Sequence, residues 1–467
     1  MCADTKSSLL HRGLQFLEKN DERRTGERKP PMFGDYEAQR HWMEITTNLP
    51  LSDWYFNTTS NDLMYWGLDY PPLTAYVSYL GTSRRPASYL ARVIYGSKQW
   101  TQRSAFFLLI LLEPAILLID HGHFQYNNVS LGFTALSVAL IVEGHEFLGS
   151  ICYCLALNFK QMALYYSPAF GIFLFVRCLY RKMCVLHLAK LVIAVIITFA
   201  LMWAPFCAYP SAMETCWSSL TQVASRNFPF NRGLFEDKVA NFWCIADFIF
   251  KIRRHVTPAV QMRLCTLMTI MGFFPSIFDL LRRKPTSLRF VLSLAICSLS
   301  FYLFSFQVHE KSILLPLLPM SFLFAHNALL SGWFSVVSTF SMYFLLKKDG
   351  LAIPYIVLQV AFAGIAVSPF LLSGASKHLH AQQSSCAPGF KHDGNVNPYL
   401  QAYVSLSLLG IASIHAAQAL ITPPPRYPHI HDYVFAAYSC GHFLLVLVYL
   451  TYWQWTAETQ SVKAKTE

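Results

Sequence analysis

Charge is what this chain has least of: only 13% of its 467 residues are Asp, Glu, Lys or Arg, against about 25% in an ordinary soluble domain. That deficit is too large for a water-facing surface and excludes a soluble globular enzyme. Residues 1 to 30 are polar and charged and hold no apolar core run, so this stretch reads as neither a signal peptide nor a membrane span. No repeat or low-complexity tract stands out. Twelve cysteines in so long a chain make no disulfide framework, and most, such as Cys152, Cys154 and Cys440, lie within or beside apolar runs as small core residues. Cys207 and Cys216 share a loop and would pair if it faces an oxidising compartment.

Apolar residues are abundant instead, at 54% of the chain. They gather in runs such as FLLILLEPAILLI from Phe107, LVIAVIITFALMWAPF from Leu191 and HFLLVLVYLTYW from His442. A bilayer crossing needs about 20 mostly apolar residues. About ten apolar segments follow Ser104, and the short ones near 147 to 158 and 162 to 176 predict broken or tilted helices. The net charge of +11 does not point to nucleic acid, because the basic residues form short clusters beside apolar runs rather than a polar face. Arg177, Arg181 and Lys182 form one cluster, Arg282, Arg283 and Lys284 another, and Lys463 and Lys465 close the chain. An alternating path puts all three on the cytosolic side.

These features predict an all-α multi-span membrane protein. Residues 1–29 form a polar segment without a span, and residues 30–103 a loop dense in Trp, Tyr and Pro with short interfacial helices. Residues 104–455 form the bundle, and residues 456–467 a cytosolic tail. The loop carries a glycosylation sequon, Asn57-Thr58-Thr59, consistent with a lumenal place. The final Lys463-Ala464-Lys465-Thr466-Glu467 resembles a dilysine retrieval signal of the endoplasmic reticulum.

Ionisable groups at membrane depth or at span ends are costly and usually kept for function. Here they gather in four islands: Gly34 to Trp42, Tyr65 to Thr74, Ile119 to Asn127 and Phe306 to Lys311. A carboxylate, two His-bearing loops and a lysine at one membrane face suit group transfer from an anionic donor. The carboxylate takes a proton from an attacking hydroxyl, while His and Lys hold a phosphate that gains charge as it leaves. Each residue also has a plainer reading. Asp35 after Gly34 fits a turn or helix cap, His309 to Lys311 fit an ion pair closing a helix end, and Asp69 fits the turn before Tyr70-Pro71-Pro72. His121 and His123, His378 and His380, and His429 and His431 share His-x-His spacing, but none has an evident third and fourth ligand, so no metal site is expected.

The sequences PPMFGDYEAQRHWMEIT from Pro30, YWGLDYPPLTAY from Tyr65, DHGHFQYN from Asp120, RGLFEDKVANFWC from Arg232 and FSFQVHEKSILLPLLP from Phe304 resemble those of the dolichyl-phosphate-glucose-dependent α-1,3-glucosyltransferases of the endoplasmic reticulum. The Trp-Gly-Leu before Asp69, and Gly122 between two histidines, resemble the branch acting on the nine-mannose oligosaccharide more than the branch adding the second glucose. The resemblance implies a GT-C membrane fold with a lumenal active site and a cytosolic C-terminus. It implies dolichyl phosphate glucose as donor, a dolichyl-diphosphate oligosaccharide as acceptor, and no metal or soluble cofactor. It makes Asp35 the general base and sets His309 near the donor phosphate, with Glu310, Lys311, Asp69, Asp120 and His121 as further substrate or structural contacts. Arg232, Glu236, Asp237 and Lys238 would form a lumenal charge network. A transporter would show mid-membrane polar residues and inverted repeats, which this sequence does not suggest.

Two departures from the family stand out. It opens with a span that residues 1 to 29 do not provide, and it carries a further segment and span where this chain has the short basic stretch from Val77 to Arg103. One clear span, 104 to 119, then separates Asp35 from Asp120, so a parity count puts these two carboxylates on opposite faces. Three resolutions stand open: Leu73 to Leu80 dips into the membrane, the gene model lacks exons, or this form is inactive.

Overall fold

The computed structural model describes residues 35–80, 109–110, 112–208, 215–227, 238–372 and 397–466, with backbone alone for 35, 36, 79, 80, 372 and 458–466. Among these residues every regular element is helical, and strand pairing is limited to an isolated bridge between Thr58 and Asn61. In chain order the main helices are α1 (Asp35–Asn48), α2 (Pro72–Leu80), α3 (Asn127–Glu143), α4 (Glu146–Phe159), α5 (Ser167–Leu179), α6 (Cys184–Ala208), α7 (Cys216–Asn227), α8 (Phe242–Phe250), α9 (Pro258–Arg282), α10 (Ser287–Phe304), α11 (Leu314–Phe322), α12 (Ala328–Ser341), α13 (Tyr343–Lys348), α14 (Ala352–Ala366), α15 (Pro398–Leu420) and α16 (Ile430–Thr466). Six described helices are long and apolar enough to cross a membrane: Gln161–Leu179, Cys184–Ala208, Pro258–Arg282, Ser287–Phe304, Pro398–Leu420 and Ile430–Ala457. Four more, α3, α4, α12 and α14, are apolar but shorter.

Local chemistry sets the helix boundaries. Thr286, Asn327 and Asn397 cap α10, α12 and α15 by accepting from the N–H groups of Arg289, Leu330 and Tyr399, which satisfies donors a helix start otherwise leaves open. Gly144 ends α3 at a φ of 96°, a left-handed conformation that favours glycine, and the chain turns straight back into α4. These two helices lie close: a Cβ on Gly149 would stand 2.5 Å from Cγ1 of Ile141, and Ser137 Oγ donates to Gly149 O at 2.7 Å. Small residues and hydroxyls fit helix association in lipid, where burial of apolar surface supplies no drive.

Buried α10 forms the axis of the bundle, with almost every residue from Arg289 to Phe304 enclosed. By contrast α6, α9, α14 and α15 expose apolar faces, including Ile196, Leu201, Met271, Val360 and Leu406, as lipid-facing helices do. The last helix continues past residue 455 to Thr466, through the stretch read above as a tail. Of the expected span 104–119, residues 104–108 and 111 lie outside the described set. The rest forms a short helix at Pro114–Ile116 and a π-helical turn at Leu117–Gly122.

The N-terminal loop folds as a small unit with its own core of Trp42, Ile45, Trp54, Tyr55, Leu68 and Ala75, joined by Phe206 of α6 and Val223 of α7. Parity separated this loop from the Asp120 end of the bundle, and the structure corrects that. Thr74 Oγ1 donates to Phe159 O at the end of α4, Tyr76 OH donates to Met202 O of α6 at 3.0 Å, and α2 lies along α4. Pro72–Leu80 therefore enters beside the bundle at the same end as Asp120. The path between Leu80 and Leu109 lies outside the described residues.

Candidate functional site

Two of the polar islands are joined within the N-terminal loop. Trp42 Nε1 on α1 donates to Trp66 O at 2.9 Å, and Tyr65 OH donates to Glu37 Oε1 at 3.3 Å. Hydrogen bonding from Arg40, above all, holds the Glu37 carboxyl below its ordinary range. Asp35 is the first residue of α1, and its side chain lies outside the described set. Gly67 makes a close approach that no side chain could, since a Cβ there would stand 2.7 Å from Leu63 Cα. Arg226 of α7 donates to Leu68 O at 3.2 Å and Gly67 O at 3.3 Å, and Gln222 to Tyr55 O at 3.1 Å. Cys207 and Cys216, joined by a disulfide, tie α6 to α7 and so hold this brace in place.

Asp120 is buried within the π-helical turn. Its carboxylate accepts from Asn127 Nδ2 at 2.7 Å and from the Asn128 N–H. Burial raises its pKa, against those hydrogen bonds, which favour the charged form. Asn127 Oδ1 in turn accepts from Lys160, whose Nζ also lies 3.5 Å from Gln125 Oε1 and 5.1 Å from the centre of the Tyr70 ring. Gln161 Nε2 donates to Asp69 O at 3.4 Å. The second and third islands thus meet across the Lys160–Gln161 loop, which the sequence showed only as a connection.

The fourth island closes the group from the opposite side. Lys311 Nζ lies 2.8 Å from His123 Nε2, and His123 Nδ1 bonds Asp349, which follows α13. A carboxylate at Nδ1 takes the ring N–H, which leaves Nε2 to accept from the ammonium. Asp349 therefore orients His123, and His123 orients Lys311. A Cβ on Gly122 would stand 2.7 Å from Leu351 Cδ1, so the loop after Asp349 presses directly on the Asp120 turn. Glu310 is buried and His309 partly exposed at the start of the same short helical turn.

Sequence reasoning chose His121, but the structure leaves His121 exposed and encloses its neighbour His123. His123, Lys160 and Asp349 were all missed as site residues. The signal that could have found the last two is a charge in a loop of three or four residues between apolar runs, alone for Lys160 and next to Lys347 and Lys348 for Asp349. Three of the four described non-glycine residues with positive φ, Trp66 at 49°, Phe124 at 68° and Gln307 at 60°, fall in these islands, and such strain clusters at functional sites. Of the other residues singled out, Lys238 lies 3.6 Å from Asp432, His429 lies 3.4 Å from the same carboxylate, and His431 bonds Ile421 O. Arg232, Glu236, Asp237, His378 and His380 lie outside the described residues.

A bundle of apolar helices with carboxylates, cations and strained loops gathered at one end defines a membrane-embedded enzyme working at the lipid boundary. The chain belongs to the ALG6, ALG8 glycosyltransferase family, whose model matches residues 8–88 and 85–449, and its fold is of the GT-C type. It is 40% identical over 472 residues to the dolichyl pyrophosphate Man9GlcNAc2 alpha-1,3-glucosyltransferase of Gallus gallus, with 91% of each chain covered. It is 38% identical over 492 residues to the probable enzyme of the same name from Dictyostelium discoideum, covering 95% of this chain and 92% of the relative. The Arabidopsis thaliana counterpart is 37% identical over 472 residues, covering 91% and 85%.

Proposed function

We propose that this protein transfers glucose from dolichyl phosphate glucose to the terminal mannose of dolichyl-diphosphate-linked Man9GlcNAc2, adding the first glucose in α-1,3 linkage with inversion. The observation that carries the reading is the convergence of three islands on one end of the bundle, where His123 and Asp349 hold the Lys311 ammonium. Asp35 takes the proton of the acceptor hydroxyl, whose oxygen attacks C1 of the glucose as the bond from C1 to the phosphate oxygen breaks. The electron pair of that bond leaves with the phosphate, and Lys311 and His309 stabilise the charge gained. A phosphate is a weak enough base to leave without a general acid. Asp120, Lys160 and Asp69 shape the wall against which the acceptor lies, with Glu310 and His121 as further contacts.

The site end faces the lumen of the endoplasmic reticulum in this reading, and the C-terminus the cytosol. Two independent features support that orientation. The disulfide between Cys207 and Cys216 belongs to an oxidising compartment, and the basic clusters around Arg177 and Arg282 lie at the opposite end, as the positive-inside rule requires.

The test is reconstitution of the purified chain with dolichyl phosphate glucose and either the nine-mannose acceptor or the same acceptor already bearing one glucose. A product one hexose heavier is expected from the first acceptor alone. Turnover of only the glucosylated acceptor would assign the chain to the paralogous step, and no product from either would reject the proposal.

A further inference from the structure

The end of the bundle away from the candidate site carries a pocket that the transfer chemistry does not use. It has a volume of about 250 Å³ and is lined by Phe278, Asp279 and Arg282 of α9, by Arg283 just past it and by Trp455 of α16. We propose that this pocket binds the phosphate of an anionic membrane phospholipid, whose acyl chains lie against α9 and α16.

Charge is the first ground. The buried Asp279 carboxylate already serves two guanidinium groups, Arg283 Nε at 3.3 Å and Arg289 Nε at 3.6 Å, and accepts from Gln454 Nε2 at 3.0 Å. Arg282 stacks on the Phe278 ring at 5.2 Å and has no carboxylate partner among the described residues, while Lys284 is exposed just beyond it. Among the described residues the pocket thus keeps an uncompensated positive charge that a phosphate would meet.

Depth is the second ground. Exposed Leu267, Met271 and Phe274 follow one another along a single face of α9, and exposed Leu445, Val448 and Tyr452 do so on α16. Both stripes lead to the pocket. Arg282 lies eight residues past Phe274, about 12 Å further along the helix, which sets its guanidinium at headgroup level when Phe274 is in hydrocarbon. Trp455 marks the same level: its Nε1 donates to Pro275 O at 3.2 Å, and Arg283 lies 5.8 Å over its ring while donating to Trp455 O at 2.6 Å. Tryptophan favours that boundary, and basic pockets between helices on the cytoplasmic side are suited to acidic headgroups. Because apolar walls continue from the cations into the bilayer, a lipid fits better than a free anion.

The experiment uses the full-length protein in neutral detergent, with phosphatidylinositol or phosphatidylcholine added and retained lipid counted by native mass spectrometry. Preferential retention of phosphatidylinositol is expected, and Arg282→Gln should reduce it about fivefold, the factor matching ~1 kcal/mol for one cation at a membrane surface. Lys284→Gln, outside the pocket, should change it less. Equal retention of the two lipids would overturn the proposal, as would an unchanged preference in Arg282→Gln or an equal loss in Lys284→Gln. Competition by inorganic phosphate at the lipid's own concentration would show an anion site and overturn the lipid assignment.

Discussion

The two ends of this bundle handle charge in opposite ways. At the basic end Glu146 is fully enclosed and meets Arg177 Nε at 2.7 Å, Arg181 Nη2 at 3.1 Å and the ring of His187, and Asp279 is shared by Arg283 and Arg289. At the site end two uncharged side chains bridge charged groups. Asn127 bridges Asp120 to Lys160, and His123 bridges Asp349 to Lys311. A carboxylate closed directly by two guanidinium groups has little field left for a ligand and acts as a fastener. A cation that meets the lone pair of an imidazole is fixed in direction, the preorganisation that stabilising a charged leaving group needs.

That contrast predicts that substitutions at the two ends separate activity from stability. The largest expected effect is on rate: Asp35→Asn should lower transfer about 10²- to 10⁴-fold with protein abundance nearly unchanged, because size and polarity are kept. Loss of folded protein instead would make Asp35 a cap of α1 and nothing more. Glu146→Ala should do the reverse, destabilising the fold by about 1.5–3 kcal/mol, the size of hydrogen bonds to a charged group, as the partly buried Arg177 and His187 lose the enclosed carboxylate while exposed Arg181 turns to solvent. A melting curve of the purified protein checks it, with turnover per folded molecule expected near normal. A stable but slow variant would break the comparison.

Smaller effects sharpen the picture of the site end. His309→Ala and His123→Gln should each raise the KM for the lipid-phosphate donor more than that for the acceptor, by about 1.5–3 kcal/mol in donor binding, the size of a hydrogen bond to a charged group. Full kinetic series in both substrates read this, and an acceptor-only effect would remove the pair from the phosphate.

How far the sequence foretells all this differs between fold and site. The helical bundle was plain because long apolar runs and scarce charge permit little else, and the polar islands stood out against an oily background. Which islands meet was not legible, since spacing along the chain says nothing about which loops share a membrane face. Lys160 and Asp349 therefore looked like connectors, and His123 was passed over for His121, because imidazole burial depends on the π-helical turn at Leu117–Gly122. Parity misled for a related reason: Pro72–Leu80 lies along the bundle, whereas a count of long runs sees only full crossings.

The smallest expected effect on the protein itself tests which of the two ends faces the lumen. Asn57 is exposed in the loop that Thr74, Asp69 and Tyr70 join to the site end, and its Oδ1 accepts from the Leu63 N–H at 3.2 Å. Asn57→Gln should cost no more than that hydrogen bond, about 0.5–1.5 kcal/mol, and leave transfer unchanged. Its sequon is modified only by lumenal machinery, so the unsubstituted protein made in cells should carry a glycan that endoglycosidase removes and that Asn57→Gln abolishes. A second sequon placed at the turn around Gly144, beside the fastened Glu146, should stay bare. The opposite pattern would turn the molecule over, putting the disulfide and the cation-bearing loops in the cytosol, away from any lumenal sugar acceptor. Glycans at both positions would mean that the two ends share one face of the membrane, which α3, running from Asn127 to Glu143 between them, does not allow in a single folded form.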